Sequence, residues 1–214
     1  MIKENGMPIA IEGLKLIIPS AILAALMFIF NWNIVGFIML IVTFFLLFFF
    51  RDPQREVSQG NGIVVSPADG VVVVIKDIHE KDYLQQDTKQ ISIFLSIFNV
   101  HVNRIPVSGK IESINYNPGK FHIAYLDKAS LENEQTAMVI TSEGKKMLVK
   151  QIAGMIARRI ACYVQPGDTV QKGERYGLIY FGSRVDIFLP ADSKIKVKLG
   201  DKLKGAKDII AVLK

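Results

Sequence analysis

The chain holds a single cysteine, Cys162, so it can form no internal disulfide, and this usage suits a reducing compartment. Its three histidines, His79, His101 and His122, stand far apart, and with one cysteine they offer no metal-ligand spacing. Metal catalysis is therefore not expected, and no nucleotide-binding or pyridoxal phosphate motif is visible. Charge of either sign is missing from Leu16 to Phe50. A basic helix or aromatic-basic interleaving of the kind that reads bases is also missing, which argues against a nucleic-acid partner. Helix signals are scarce after residue 50; Ala153–Arg159 and the stretch around Lys128–Glu134 are the candidates.

What is present begins with two apolar runs, Leu16–Phe30 and Ile34–Phe50, split by Asn31-Trp32-Asn33. Each lies at or just below the short limit for a spanning helix, roughly 17 residues. Tryptophan and asparagine at the break suit a membrane interface. The pattern predicts a helical hairpin over residues 1–50 that crosses a bilayer twice, or dips in and returns. Lys3 and Lys15 precede it, Arg51 and Arg55 follow it, and the connecting turn has no charge. By the positive-inside rule the rest of the chain then faces the cytoplasm. A cleavable signal peptide fits poorly, because no small-residue cleavage site follows the first run. A hairpin buried in a soluble core is the other alternative.

The formal charge of +6 lies beyond residue 50, since Lys3 and Lys15 balance Glu4 and Glu12. A basic unit tethered to a membrane is attracted to anionic headgroups, although a solvated basic surface gives the same count. Residues 51–61 read as a polar linker broken by Asp52-Pro53. Residues 62–214 read as a mainly β unit, with short strand-like runs at Ile63–Val65, Val71–Ile75, Ile91–Phe98, Lys110–Asn115, Met138–Thr141, Met147–Ile152, Tyr176–Phe181, Val185–Leu189 and Ile195–Val197. Glycine, proline, asparagine and aspartate punctuate them, as in a compact barrel or sandwich.

Gly182-Ser183 lies between two of these runs. A serine hydroxyl can add to the preceding carbonyl, and glycine leaves that carbonyl unshielded because it has no Cβ. The amide bond then gives way to an ester. Elimination from the ester leaves a carboxylate on Gly182 and dehydroalanine at 183, which hydrolyses to a pyruvoyl group and ammonia. A Gly-Ser pair alone is more often a turn or bulge.

Ser66-Pro67-Ala68-Asp69-Gly70 and Val164-Gln165-Pro166-Gly167-Asp168 resemble turns of lipoyl- and biotinyl-type barrel-sandwich domains, so a membrane-anchored carrier or binding module is the rival to an enzyme. Such carriers present a modifiable lysine, typically as Met-Lys-Met, and none occurs here. A phosphocarrier barrel is a second rival, and fold alone does not decide among them.

Four motifs in order carry a more specific resemblance: Ser66-Pro67-Ala68-Asp69-Gly70, the stretch from Phe94 to Pro106 that contains Asn99-Val100-His101-Val102-Asn103-Arg104, Asn133-Glu134-Gln135, and Phe181-Gly182-Ser183-Arg184. Together they resemble the phosphatidylserine decarboxylase family in its short bacterial and archaeal form, from about Arg51 to about Pro190. The resemblance implies a barrel-sandwich-like β domain behind a transmembrane or re-entrant hairpin. It implies self-cleavage between Gly182 and Ser183 into chains 1–182 and 183–214, which stay together as a heterodimer. It further implies a pyruvoyl group made from Ser183, which captures the amine of a membrane phospholipid as a Schiff base and releases CO₂. No metal or pyridoxal phosphate is then needed.

For single residues, the resemblance implies catalytic roles for Ser183, His101 and Asp69, the last orienting a histidine during processing. The long-form pattern Tyr-His-x-x-His aligns His101 with its first histidine and puts Arg104 at the second. Arginine cannot act as a base at neutral pH, so Arg104 is read as a contact to substrate phosphate or carboxylate, or as a structural ion pair. His122, Asn133 and Glu134 are further candidate substrate contacts, with Tyr125 beside His122. Gln135 stands where the family's Asn-Glu-Arg element has arginine.

Overall fold

The computed structural model describes residues 8–119, 133–154 and 159–214. They fall into two compact units divided between Gln54 and Arg55.

The first unit is a helix pair, α1 (Ile11–Ile29) and α2 (Asn33–Phe49). α1 starts ahead of the apolar run and takes Glu12 into its first turn, where an acidic side chain complements the helix dipole. Asn31 turns the chain with φ +61, a conformation asparagine tolerates. The helices pack through small residues: Gly13 lies against Phe50, Gly36 against the Phe28 ring, and the Thr43 hydroxyl meets Ser20 Oγ at 3.0 Å. Ala10 N–H donates to the Phe50 carbonyl at 2.8 Å, which ties the two ends together. The outward faces are apolar, with Ile29 71% and Ile34 79% exposed beside Phe37, Ile41 and Phe44. By length and composition α1 is long and apolar enough to cross a membrane, and α2 is a shorter apolar helix.

The second unit is mainly β, in agreement with the sequence. Its strands are β1 (Ile63–Val65), β2 (Gly70–Glu80), β3 (Gln86–Leu95), β4 (Val102–Arg104), β5 (Gly109–Asn117), β6 (Gln135–Ser142), β7 (Lys145–Ala153), β8 (Ile160–Cys162), β9 (Thr169–Val170), β10 (Arg175–Ile179), β11 (Ser183–Pro190), β12 (Lys194–Ile195), β13 (Lys202–Leu203) and β14 (Ile209–Val212). Eight form one sheet in the order β13-β2-β3-β11-β7-β6-β5-β9. Two smaller sheets, β1-β14-β12 and β4-β10-β8, complete the unit. Ala153, expected to open a helix, instead closes β7 by pairing with Ser183. The other helix candidate, around Lys128–Glu134, lies for the most part outside the described residues.

β11 runs through the middle of the large sheet, antiparallel to both β3 and β7. Side chains alternate along it. Val185, Ile187 and Leu189 enter the main core with Ile91, Ile93, Leu95, Ile140, Met147 and Val149. Arg184, Asp186 and Phe188 take the opposite face, where Phe188 packs with Ala137, Val139 and Leu148. Of residues 51–61, read from sequence as a linker, 55–61 belong to this unit and bond to it: Arg55 pairs with Asp69 at 2.8 Å, and Ser58 N–H donates to the Ala206 carbonyl at 3.3 Å.

Candidate active site around Ser183

Two crossovers between sheets lie side by side. From β3 the chain leaves the large sheet at Leu95 and enters the small sheet as β4. From β10, in that small sheet, it passes through residues 180–182 and enters the large sheet as β11. β3 pairs with β11 and β4 pairs with β10, so both connections cross at the same end. That adjacency brings His101, which immediately precedes β4, to the turn that carries Gly182-Ser183. Ile179 N–H donates to the His101 carbonyl at 3.3 Å.

The change of sheet within residues 180–182 demands an abrupt backbone. Phe181 has φ +36 and Gly182 φ +59, both in the left-handed region. Glycine adopts it freely, whereas phenylalanine there is strained. A Cβ built on Gly182 meets nothing within 4 Å, so the conformation and not the packing asks for glycine. Ser183 is fully buried at the head of β11, opposite Leu95 on one side and Ala153 on the other. Its Oγ has no hydrogen-bond partner among the described residues.

His101 is fully buried, and its Nδ1 lies 3.0 Å from the Asn99 carbonyl oxygen. A carbonyl only accepts, so Nδ1 carries the proton and the neutral ring has its basic lone pair on Nε2. Asn99 is itself set by its side chain, whose Oδ1 accepts from Ser96 N–H at 2.9 Å and from Ser96 Oγ at 2.8 Å. The imidazole is thus oriented by main chain in a short self-bonded turn.

Asp69 is held by two other partners. Its Oδ2 pairs with Arg55 at 2.8 Å and its Oδ1 accepts from Gly205 N–H at 2.7 Å. The aspartate ties the Pro67–Gly70 turn to residues 55 and 205. Arg104 is buried on the face of β4 opposite Asn103, with Nη1 3.3 Å from the Gly173 carbonyl. Asn133 and Glu134 clasp the residue beside Ser183: Asn133 Nδ2 donates to the Ala153 carbonyl at 2.7 Å, and Ala153 N–H donates to the Glu134 carbonyl at 2.9 Å. The Tyr116 hydroxyl donates to Glu134 Oε1 at 3.0 Å. Gln135 opens β6 opposite Ile152. His122 and Tyr125 lie outside the described residues.

Two features of this end of the fold rest on residues to which the sequence reading gave no role. Gln151 shares a sheet face with Ser183 and Ala153, and its Nε2 donates to Asn103 Oδ1 at 2.8 Å, both side chains being buried. This bond ties β4, at Asn103, to the sheet face that bears Ser183 and Ala153. The second feature is a buried ion pair, Arg184 with Asp186, at 2.6 Å. Two opposite charges spaced by two within an apolar strand were the available signal, because such residues share a face that the sheet then buries.

Among the described residues no group of histidine, cysteine, aspartate and glutamate could hold a metal ion. Burial pushes the Cys162 thiol and the Tyr176 phenol above their ordinary pKa values. The site's assets are a buried serine after a left-handed glycine, an oriented imidazole, and the Asn133 carboxamide that holds Ala153 beside Ser183.

Residues 42–211 match the family described as phosphatidylserine decarboxylase. A protein of Geotalea daltonii named phosphatidylserine decarboxylase proenzyme is 43% identical over 211 residues, which span 98% of this chain and 99% of that protein. Proteins with the same name from Desulfotalea psychrophila and Syntrophus aciditrophicus are 43% and 45% identical, over 97% and 92% of this chain and 97% and 93% of their own lengths. With matches of this extent, the chain belongs to the phosphatidylserine decarboxylase family, a family of decarboxylases.

Proposed function

We propose that the chain is a proenzyme that cuts itself between Gly182 and Ser183 and then decarboxylates phosphatidylserine to phosphatidylethanolamine at a pyruvoyl group made from Ser183. The observation that carries this reading is the buried Ser183 hydroxyl, without a described partner, directly after two left-handed residues. An unmade hydrogen bond and a strained turn are what a bond poised for rearrangement retains. His101 Nε2 takes the hydroxyl proton while the Asn99 carbonyl steadies the developing imidazolium through Nδ1. Asp69 supports the site by holding Arg55 and the loop at Gly205.

A pyruvoyl ketone takes up the substrate amine and accepts the electron pair left as CO₂ departs. Around it, Asn133 and Glu134 fix Ala153 and so the floor beside residue 183, and His101 returns a proton to the product carbon. Arg104, by its guanidinium, and His122, by resemblance, are candidate headgroup contacts.

The small chain, 183–214, would stay bound after the cut because it supplies β11 to β14: β11 lies between β3 and β7, β13 pairs with β2, and β14 pairs with β1. Residues 1–50 serve as a membrane hairpin whose exposed apolar faces meet lipid. The positive flanks Lys3, Lys15 and Arg51 put the β unit on the cytoplasmic side, at headgroup height.

Intact mass tests the first half: wild type should resolve into 1–182 and 183–214, and Ser183→Ala should stay whole. Phosphatidylserine supplied in vesicles should yield phosphatidylethanolamine, and borohydride with substrate present should fix an adduct on residue 183. An adduct on a lysine, or cleavage of the Ser183→Ala chain, would refute the mechanism.

A further inference from the structure

One residue beyond the bond proposed to break sits a buried charge network whose purpose stability does not explain. Arg184 is 1% exposed and Asp186 is fully buried, on the sheet face opposite Ser183. Arg184 Nε donates to Asp186 Oδ1 at 2.6 Å; Nη2 donates to Asp186 Oδ2 at 3.3 Å and to Ser92 Oγ at 2.7 Å. Gln90 Nε2 joins the same group, 3.0 Å from Ser92 Oγ and 3.1 Å from Asp186 Oδ2. Ser92 and Gln90 belong to β3, so these bonds fasten β11 to its neighbour through side chains as well as main chain. Apolar residues of similar volume often stabilise a fold as well as a buried ion pair does.

We propose that Arg184 is a positioning residue of the mature enzyme: its network with Asp186, Ser92 and Gln90 holds the start of β11 in place once the chain is cut before Ser183. The inference rests on the scission proposed above. In the whole chain, residue 183 is held by the peptide link through Gly182 to β10 and by its pairing with Leu95 and Ala153. The cut removes the first. Conversion to a pyruvoyl group also removes the nitrogen of residue 183, and with it the main-chain donor at that position. Chain ends fray, because pairing at a terminus opens at little free-energy cost. Arg184 is then the first full residue of the small chain, and its anchorage lies next to the reacting carbon. A misplacement of about 1 Å at a reacting centre lowers rates by on the order of 10²-fold.

Two variants separate positioning from stability. Arg184→Lys keeps the buried charge but loses the planar fork. Arg184→Met combined with Asp186→Leu removes both charges, so neither is left unpaired. Each is made in the full chain and again in the uncut Ser183→Ala chain. The variants should self-cleave at close to the wild-type rate, with kcat lowered on the order of 10- to 100-fold and KM little changed. Amide hydrogen exchange at residues 184–187 should rise in the cut variants and stay low in their uncut counterparts. Equal exchange in cut and uncut chains, or wild-type kcat, would overturn the proposal, as would failure of both soluble variants to self-cleave. If the double variant is insoluble, Arg184→Lys carries the test alone. A wild-type chain that never cleaves would sink the maturation reading, and this proposal with it; a cut wild type beside fully active variants sinks this proposal alone.

Discussion

Removing the Ser183 hydroxyl should stop maturation and at the same time stabilise the uncut chain. The residue is fully buried, and its Oγ has no hydrogen-bond partner among the described residues. A buried polar group left without a partner costs about 1–3 kcal/mol. Alanine removes that cost and deletes one oxygen but no methylene, so the cavity left behind is small. The expected gain is about 1 kcal/mol, or about 2–4 °C in Tm for a unit of this size. Ser92 supplies the contrast. It is equally buried, but its hydroxyl accepts from Arg184 and Gln90, so Ser92→Ala should destabilise by about 1–3 kcal/mol. Wild type and both variants would be unfolded in urea as whole chains, with intact mass confirming that none has been cut. A Ser183→Ala chain less stable than wild type would mean that the hydroxyl is engaged, and the picture of an uncommitted nucleophile would fail.

His101→Ala should slow self-cleavage or turnover by on the order of 10²–10⁴-fold, and near-normal rates for both would move the proton transfer elsewhere. Gly177→Ala would put a Cβ 2.3 Å from the Ala161 carbonyl oxygen and 2.6 Å from Gln151 Nε2. It should destabilise by about 1–3 kcal/mol and disturb the Gln151–Asn103 bond; an unchanged melting curve would contradict the close packing of β10 there. A chain starting at Arg55, which keeps the Asp69 partner, should still self-cleave but lose activity on substrate in vesicles, and high salt should deepen that loss; full vesicle activity would show that the hairpin is dispensable. Cys162, its thiol pushed up by burial, should alkylate slowly at neutral pH by mass spectrometry, and rapid labelling would contradict that placement.

Much of this protein is legible one residue at a time. An uncharged run of this length is read as helix, because a backbone in apolar surroundings must bond to itself. The alternating apolar runs around Ile91 and Val185 become strands because successive side chains face opposite ways. The Gly-Ser bond and its companion motifs lie in an order that points to the family before any contact is known. Other features exist only through pairing. β4, β8, β9 and β13 are two or three residues long, too short for any period, and they are strands because a neighbour completes their hydrogen bonds. Ala153 ends a strand against its helical propensity because Ser183 and the Asn133–Glu134 pair hold it.

The site divides along the same line. Sequence determined which groups are available: the serine, the imidazole, the carboxylates and the left-handed glycine. The tertiary structure decided which of them meet. It set the Asn99 carbonyl on His101, because the turn between β3 and β4 bends back on itself, and it set Arg55 and Gly205 on Asp69. It also turned Arg184 and Asp186 from two charges in a strand into part of a buried network with Ser92 and Gln90, since a sheet buried on both faces leaves them no water to bond.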